Sequence, residues 1–169
     1  MDRLYLDFDG VINRLGVSIE SPWPTTRGTE ITLTNSGLMS TYPINYSPEL
    51  IKEICRLLDD GVDIVWLSTW EHNTEKFDKL GLPEMPFCWL SVADWSKKDL
   101  FYEAKYRSLE GHLIKHPADR VFWVDDDLKH SDMSNRAAAQ RGVQTISPEK
   151  HIGLTPDHIN QIRGYFNLD

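Results

Sequence analysis

Two carboxylates stand two positions apart near the start of the chain, in Leu4-Tyr5-Leu6-Asp7-Phe8-Asp9-Gly10-Val11. The apolar run before them reads as a buried strand that breaks into acids and a glycine. Alternation along a strand puts Asp7 and Asp9 on one side of its end and turns Phe8 the other way, into packing. Carboxylates that close ionise together only at a cost, so either a cation sits between them or one holds a proton. Both arrangements serve catalysis. Gly10 permits a turn that a side chain would obstruct and leaves the pocket open to a ligand. Taken alone, the same letters also suit a strand that ends in a solvated acidic turn.

Two further apolar runs end in reactive groups: Val62 to Leu67 runs into Ser68-Thr69, and Val121 to Val124 into Asp125-Asp126. If these strands are parallel, all three ends share one edge and residues more than a hundred positions apart share one pocket. A cluster of acids needs a cation to coexist. An all-oxygen site suits Mg²⁺, which keeps several waters and also ligates substrate phosphate. A hydroxyl and a Lys nearby would complete a phosphate cradle.

The elements that must position these groups alternate. Ser47-Pro48-Glu49 starts a helix whose apolar face is Leu50, Ile51, Ile54, Leu57 and Leu58, with Gly61 after it. A shorter helix is predicted from Glu71 to Leu80 and closed by Gly81, and a longer one from about Asp99 to Lys115, where Gly111 weakens the pattern. Ser131 to Arg141 and the segment opened by Thr155-Pro156-Asp157 complete the helices. Strands are predicted at the start of the chain, over 62–67, over 87–92, over 120–124 and over 143–146. Alternating β and α elements give a doubly wound, mostly parallel five-stranded α/β sheet, with ligands beyond the carboxyl ends of its strands. Between Asn13 and Tyr46, β-like runs at Val17-Ser18-Ile19 and 30–34 are separated by turn signals. They read as a β-hairpin flap over the end of the first strand.

Length predicts one domain over 1–169, with 13–46 as an insertion. With 40% hydrophobic and 26% charged residues the chain reads as globular. A net charge of −8 disfavours nonspecific binding to duplex nucleic acid or an anionic membrane, and an anionic substrate would need a metal or a few Lys and Arg. Cys55 and Cys88 lie in apolar segments and read as small hydrophobes. No run resembles a signal peptide or a membrane span, so the expected compartment is the cytoplasm. His112 and His116 have helical metal-ligand spacing without an accompanying motif and are expected to face solvent. His72, His130 and Trp70 follow strand ends, where each could touch substrate or simply pack.

In order and placement, Asp7-Phe8-Asp9-Gly10-Val11, the strand to Ser68-Thr69, a Lys, and Trp123-Val124-Asp125-Asp126 resemble the four motifs of the haloacid dehalogenase (HAD) superfamily. The resemblance spans Leu4 to about Ile146 and implies a Rossmann-like Mg²⁺-dependent phosphohydrolase that works through an aspartyl-phosphate. By position it implies Asp7 as nucleophile and metal ligand, and Asp9 as general acid and base that lends its carbonyl to the metal. Ser68, or else Thr69, would bind phosphate beside Gly10, Asp125 would complete the metal site, and Asp126 would support it or ligate the metal through water. For the Lys, Lys105 fits the third motif best, ahead of Lys98 and Lys97. Neither gap between motifs holds a full cap domain. A cap-less member leaves its site open, which suits a phosphate on a large or terminal group such as a nucleic-acid end. Leu4 to Asn13 with Trp66 to Trp70 is also similar to the small HAD domains of polynucleotide repair phosphatases; a nucleotide or another phosphate monoester is the other substrate implied. The rival is a metal-binding HAD-like interaction or signalling module without turnover.

Overall fold

The computed structural model describes residues 1–16, 21–35, 38–90 and 98–168, the side chains of 35, 98–102 and 133 excepted. The β-like run at Val17-Ser18-Ile19, Lys97 and the side chain of Lys98 lie outside the described residues.

Strand β1 (Asp2–Leu6) is central and buried from Arg3 onward, because it pairs on both edges and is covered on both faces. On one edge it pairs in parallel with β4 (Asp63–Trp66), on the other with β5 (Arg120–Val124), and β5 pairs in parallel with β6 (Val143–Ile146). The order β4-β1-β5-β6 reverses direction at β1 and β5. An open α/β sheet binds its ligand at such a switch point. Leu6 lies opposite both Trp66 and Val124, so three strands stop level with one another.

The sheet has four strands among the described residues, one fewer than the sequence pattern predicts. The segment expected to form a strand over 87–92 makes a single parallel bridge, Phe87 to Trp66. Pro86 has no N–H to give. Among the described residues the pairing goes no further than Cys88, and the Leu90 amide donates to Glu71 Oε1 at 2.9 Å instead of to the sheet edge; residues 91–92 of the expected strand lie outside the described residues.

Helix α1 (Pro48–Asp59) opens as its sequence predicts, with Ser47 Oγ accepting from the amides of Glu49 and Leu50. It buries Leu50, Ile51, Ile54 and Leu57 on the sheet face that carries Leu4, Leu6, Ile64 and Phe122. Helix α4 (Pro156–Phe166) joins it there through Ile159, Ile162 and Phe166. The opposite face, with Tyr5, Val65, Val121 and Trp123, is covered by α2 (Lys98–Lys115) and α3 (Asp132–Gln140) through Leu109 and Ala138. Helix α2 runs through Gly111 unbroken. Residues 71–80 form a 3₁₀ helix closed by left-handed Gly81. Strands β2 (Arg27–Asn35) and β3 (Leu38–Tyr46) form the expected antiparallel hairpin. Its base buries Ile31, Leu33, Ile44 and Tyr46, while Leu38 and Met39 at its tip are exposed. No helix among the described residues is long and apolar enough to cross a membrane.

Thr155 and His158 cap α4 reciprocally: Thr155 Oγ1 accepts from the His158 amide, and His158 Nδ1 accepts from the Thr155 amide, each at 3.2 Å. That acceptor must be unprotonated, and burial holds the His158 imidazole below its ordinary 6.5. The unfolded chain therefore takes up the proton first as pH falls. Stability from this group is complete above the unfolded value and declines through the window below it. His158→Gln, which keeps an acceptor for the Thr155 amide, is expected to reduce the fall in urea midpoint between about pH 7.5 and about pH 5. An unchanged pH dependence would remove His158 as a contributor.

Candidate active site

Asp7 and Asp125 are the first residues past the ends of adjacent strands. The Asp7 amide still donates to Val124 O at 3.0 Å, and the Asp125 amide to Ile146 O at 3.2 Å. The sheet thus sets two carboxylates side by side at its switch point. Lys105 reaches them from α2, its ammonium donating to Asp7 Oδ2 and to Asp125 Oδ2 at 2.7 Å each. All three residues are buried. Asp7 Oδ1 accepts from the Phe8 amide at 2.8 Å and Asp125 Oδ1 from the Asp127 amide at 3.0 Å, so neither carboxylate is free to turn.

Asp126 adds a third acid. Oxygens of Asp7, Asp125 and Asp126 all lie within 4.8 Å of one another, in the metal-ligand cluster found among the described residues. Gly10 explains how Asp126 fits. Its φ is +72°, and a Cβ there would collide with the Asp126 carboxylate. The space left by the missing side chain holds Asp126, where the sequence reading left it to a ligand.

The electrostatics of this cluster are unbalanced. Burial pushes Asp125 up to about 7 against the pull of Lys105, with the charge of Asp7 pushing the same way. Burial also pushes Asp126 up to about 7, helped by the charges of Asp7 and Asp127. Burial works against the Lys105 ammonium as well, but Asp125 and Asp7 outweigh it and hold the group protonated. One buried ammonium thus faces three buried carboxylates. A hard, oxygen-loving divalent cation fits that donor set and that deficit.

Asp9 stands apart from the cluster. Strand β1 ends at Leu6, so strand alternation does not govern 7–9, and Asp9 is not one of the three clustered acids. Asp9 Oδ1 accepts from Asn13 Nδ2 at 2.7 Å and Oδ2 from Trp70 Nε1 at 2.9 Å. Burial raises its carboxyl, opposed by the bonds from Asn13 and Trp70, with Asp7 adding to the rise. Phe8 packs as expected, stacked on Phe77 with ring centroids 3.8 Å apart.

Ser68 and Thr69 separate clearly. Ser68 Oγ is buried and has no hydrogen-bond partner among the described residues, whereas Thr69 is exposed. Of the other expected contacts, His72 and His130 are exposed. The expectation that His112 and His116 face solvent holds for His116 only. His112 is half-buried and shares a 2.8 Å hydrogen bond with the Tyr5 hydroxyl, because its turn of α2 lies on the sheet. Sequence reasoning did not single out Asn13. An amide four residues past an acid was its only signal, and the hydrogen bond depends on the turn that folds Asn13 back, its amide donating to Phe8 O at 2.9 Å.

No curated protein and no solved structure matches the chain. The model of one family, described as the HAD domain in Swiss Army Knife RNA repair proteins, matches residues 3–159, a span that holds β1 from Arg3 onward, every acid of the cluster, Lys105 and the hairpin. With nearly its whole length matched, the chain belongs to that family of the HAD superfamily.

Proposed function

We propose that the protein is a Mg²⁺-dependent phosphatase that hydrolyses a phosphate monoester, carried on a nucleotide or a nucleic-acid end, through an aspartyl-phosphate on Asp7. The observation that carries this reading is the Lys105 ammonium fixed between Asp7 and Asp125 inside a buried three-carboxylate cluster. Membership of a HAD family supports phosphatase-type hydrolysis. The hairpin, with no cap domain above it, suits a phosphate on the end of a larger molecule.

Asp7, Asp125 and Asp126 would hold the Mg²⁺, with the Asp9 carbonyl as a further ligand. Bound there, the cation offsets the repulsion between an anionic nucleophile and an anionic ester. Lys105 holds Asp7 Oδ2 and aims the carboxylate. A carboxylate oxygen of Asp7 attacks phosphorus, and the bond from phosphorus to the leaving oxygen breaks as protonated Asp9 gives that oxygen its proton. Asp9, now a carboxylate, takes a proton from water whose oxygen attacks the same phosphorus. The bond to Asp7 breaks, inorganic phosphate leaves, and both acids return to their starting states. Ser68 Oγ, with a proton to give and no partner among the described residues, donates to a phosphoryl oxygen ahead of exposed Thr69.

Phosphate release from an aryl phosphate, nucleotides and 3′- or 5′-phosphorylated oligonucleotides is expected with Mg²⁺ and not with chelator, and Asp7→Asn should lower it by about 10⁴-fold or more. If wild type and Asp7→Asn are equally inert on every substrate while Mg²⁺ still binds, the interaction-module reading replaces this one. Binding itself is readable without turnover. Mg²⁺ at about 100 times its dissociation constant should add about 2.7 kcal/mol to stability in a thermal melt, and Asp126→Asn should weaken its affinity about 10-fold to 100-fold. A melt indifferent to Mg²⁺ would count against the metal site. Gly10→Ala strains a left-handed residue and drives a methyl into Asp126. It should cost more than about 2 kcal/mol in urea unfolding and weaken Mg²⁺ binding with it, and a neutral outcome would contradict the packing of Asp126 on Gly10.

A further inference from the structure

Both oxygens of the Asp9 carboxylate are held by groups outside the acidic cluster, and both holders lead to the hairpin. Asn13, 3% exposed, donates to Asp9 Oδ1 through Nδ2 while its Oδ1 accepts from the amide of Asn45 on β3 at 2.8 Å. Those two bonds fix the sense of the amide. Rotated by half a turn, it would set oxygen against carboxylate and NH₂ against N–H. Trp70, 6% exposed, donates to Asp9 Oδ2, and its ring is wedged between Phe8 at 5.5 Å, Phe77 at 5.2 Å and Tyr42 of β3 at 5.4 Å, centroid to centroid. Arg14 adds a backbone link, its amide donating to Asn45 O at 2.8 Å.

We propose that Asn13 and Trp70 are positioning residues that fix the Asp9 carboxylate for proton transfer, and that the β2–β3 hairpin is the brace that fixes them. The inference rests on the reading of Asp9 as general acid and base. Each Asp9 oxygen takes one N–H donor from the flank and keeps a second lone-pair direction for the substrate. Held so, the carboxylate cannot swing. Displacements of about 1 Å at a reacting group lower rates by as much as about a hundredfold. The hairpin thereby belongs to the catalytic apparatus as well as standing over it.

The test is a comparison of leaving groups under saturating Mg²⁺. An aryl phosphate such as nitrophenyl phosphate has a leaving oxygen that departs with little protonation, whereas an alkyl phosphate, such as a nucleoside 3′-phosphate, needs the proton from Asp9. Trp70→Phe keeps a ring against Phe8, Phe77 and Tyr42 and removes the N–H. Asn13→Leu keeps the bulk and removes both of its hydrogen bonds. Each should lower kcat/KM, which reads the steps up to departure of the leaving group and not the later water attack that Asp9 also serves, by about 10-fold to 100-fold on the alkyl phosphate and by less than about threefold on the aryl phosphate. Equal losses on the two substrates would mark the residues as merely structural, and no loss on either would show that Asp9 needs no brace; both overturn the proposal. Asp9→Asn serves as the reference. If it discriminates between the substrates while Trp70→Phe and Asn13→Leu do not, the brace fails and the general acid stands. If Asp9→Asn itself affects both substrates equally, the general-acid reading fails and takes the brace with it. Should circular dichroism show Asn13→Leu unfolded, Trp70→Phe decides alone.

Discussion

A single ammonium shared by two buried carboxylates ties the two halves of this structure together. Asp7 is carried by β1 and Asp125 by β5, and Lys105 comes from α2, far from either in sequence. Breaking a buried pair of this kind by removing one partner costs about 3 to 5 kcal/mol, since the charges left behind have no water to turn to. Lys105 is therefore more than a catalytic prospect. With Ala104 and Leu109 buried beside it, it seats α2 over Tyr5, Val65 and Trp123 and fixes how the helix meets the strand ends. Even so, the ammonium does not balance the cluster. The fold holds three acids against one ammonium, a deficit that an added cation relieves, as does a proton on Asp125 or Asp126.

Holding that excess requires a rigid frame, and the sheet supplies it. Along β1, Leu4 and Leu6 point into the core shared with α1, α4 and the hairpin, while Tyr5 points into the core shared with α2 and α3. With no face on water, the strand cannot slip by a residue without exchanging its two cores. Register therefore sets the level at which Asp7 and Asp125 emerge. The aromatic group of Phe8, Trp66, Trp70 and Phe77 continues the first core past the strand ends and under Asp9. Packing and the seating of Asp9 meet in Phe8 and Trp70.

What could be read from the sequence was local or came from strand ends. Helix starts at Ser47 and Thr155, the hairpin pattern around 30–34, and acids directly after apolar runs each carry their cause in adjacent letters, and parallel pairing then brings those acids to one edge. What could not be read depends on distant partners. Glu71 captures the Leu90 amide and stops a fifth strand. Gly10 leaves room for Asp126, from more than a hundred residues away. Asp9 lies past the end of β1, where alternation no longer applies, and its partners Asn13 and Trp70 declare themselves only once the chain has folded back. Propensity and alternation describe a strand but not the residue at which it lets go.

The charge excess also bears on how such a site would meet its substrate. A phosphate monoester carries up to two negative charges, and the chain that must bind it has a net charge of −8 with three carboxylates at the point of contact. Lys105 is already engaged by two of them. Under the phosphatase reading, cation and phosphate therefore cannot be independent ligands. Whatever factor the cation adds to phosphate affinity, phosphate must return to cation affinity, because the coupling free energy is one quantity seen from two sides. On that reading the site would bind its cation more tightly with phosphate present than without, and its all-oxygen donor set would favour a hard divalent ion that accepts an anionic oxygen ligand as well.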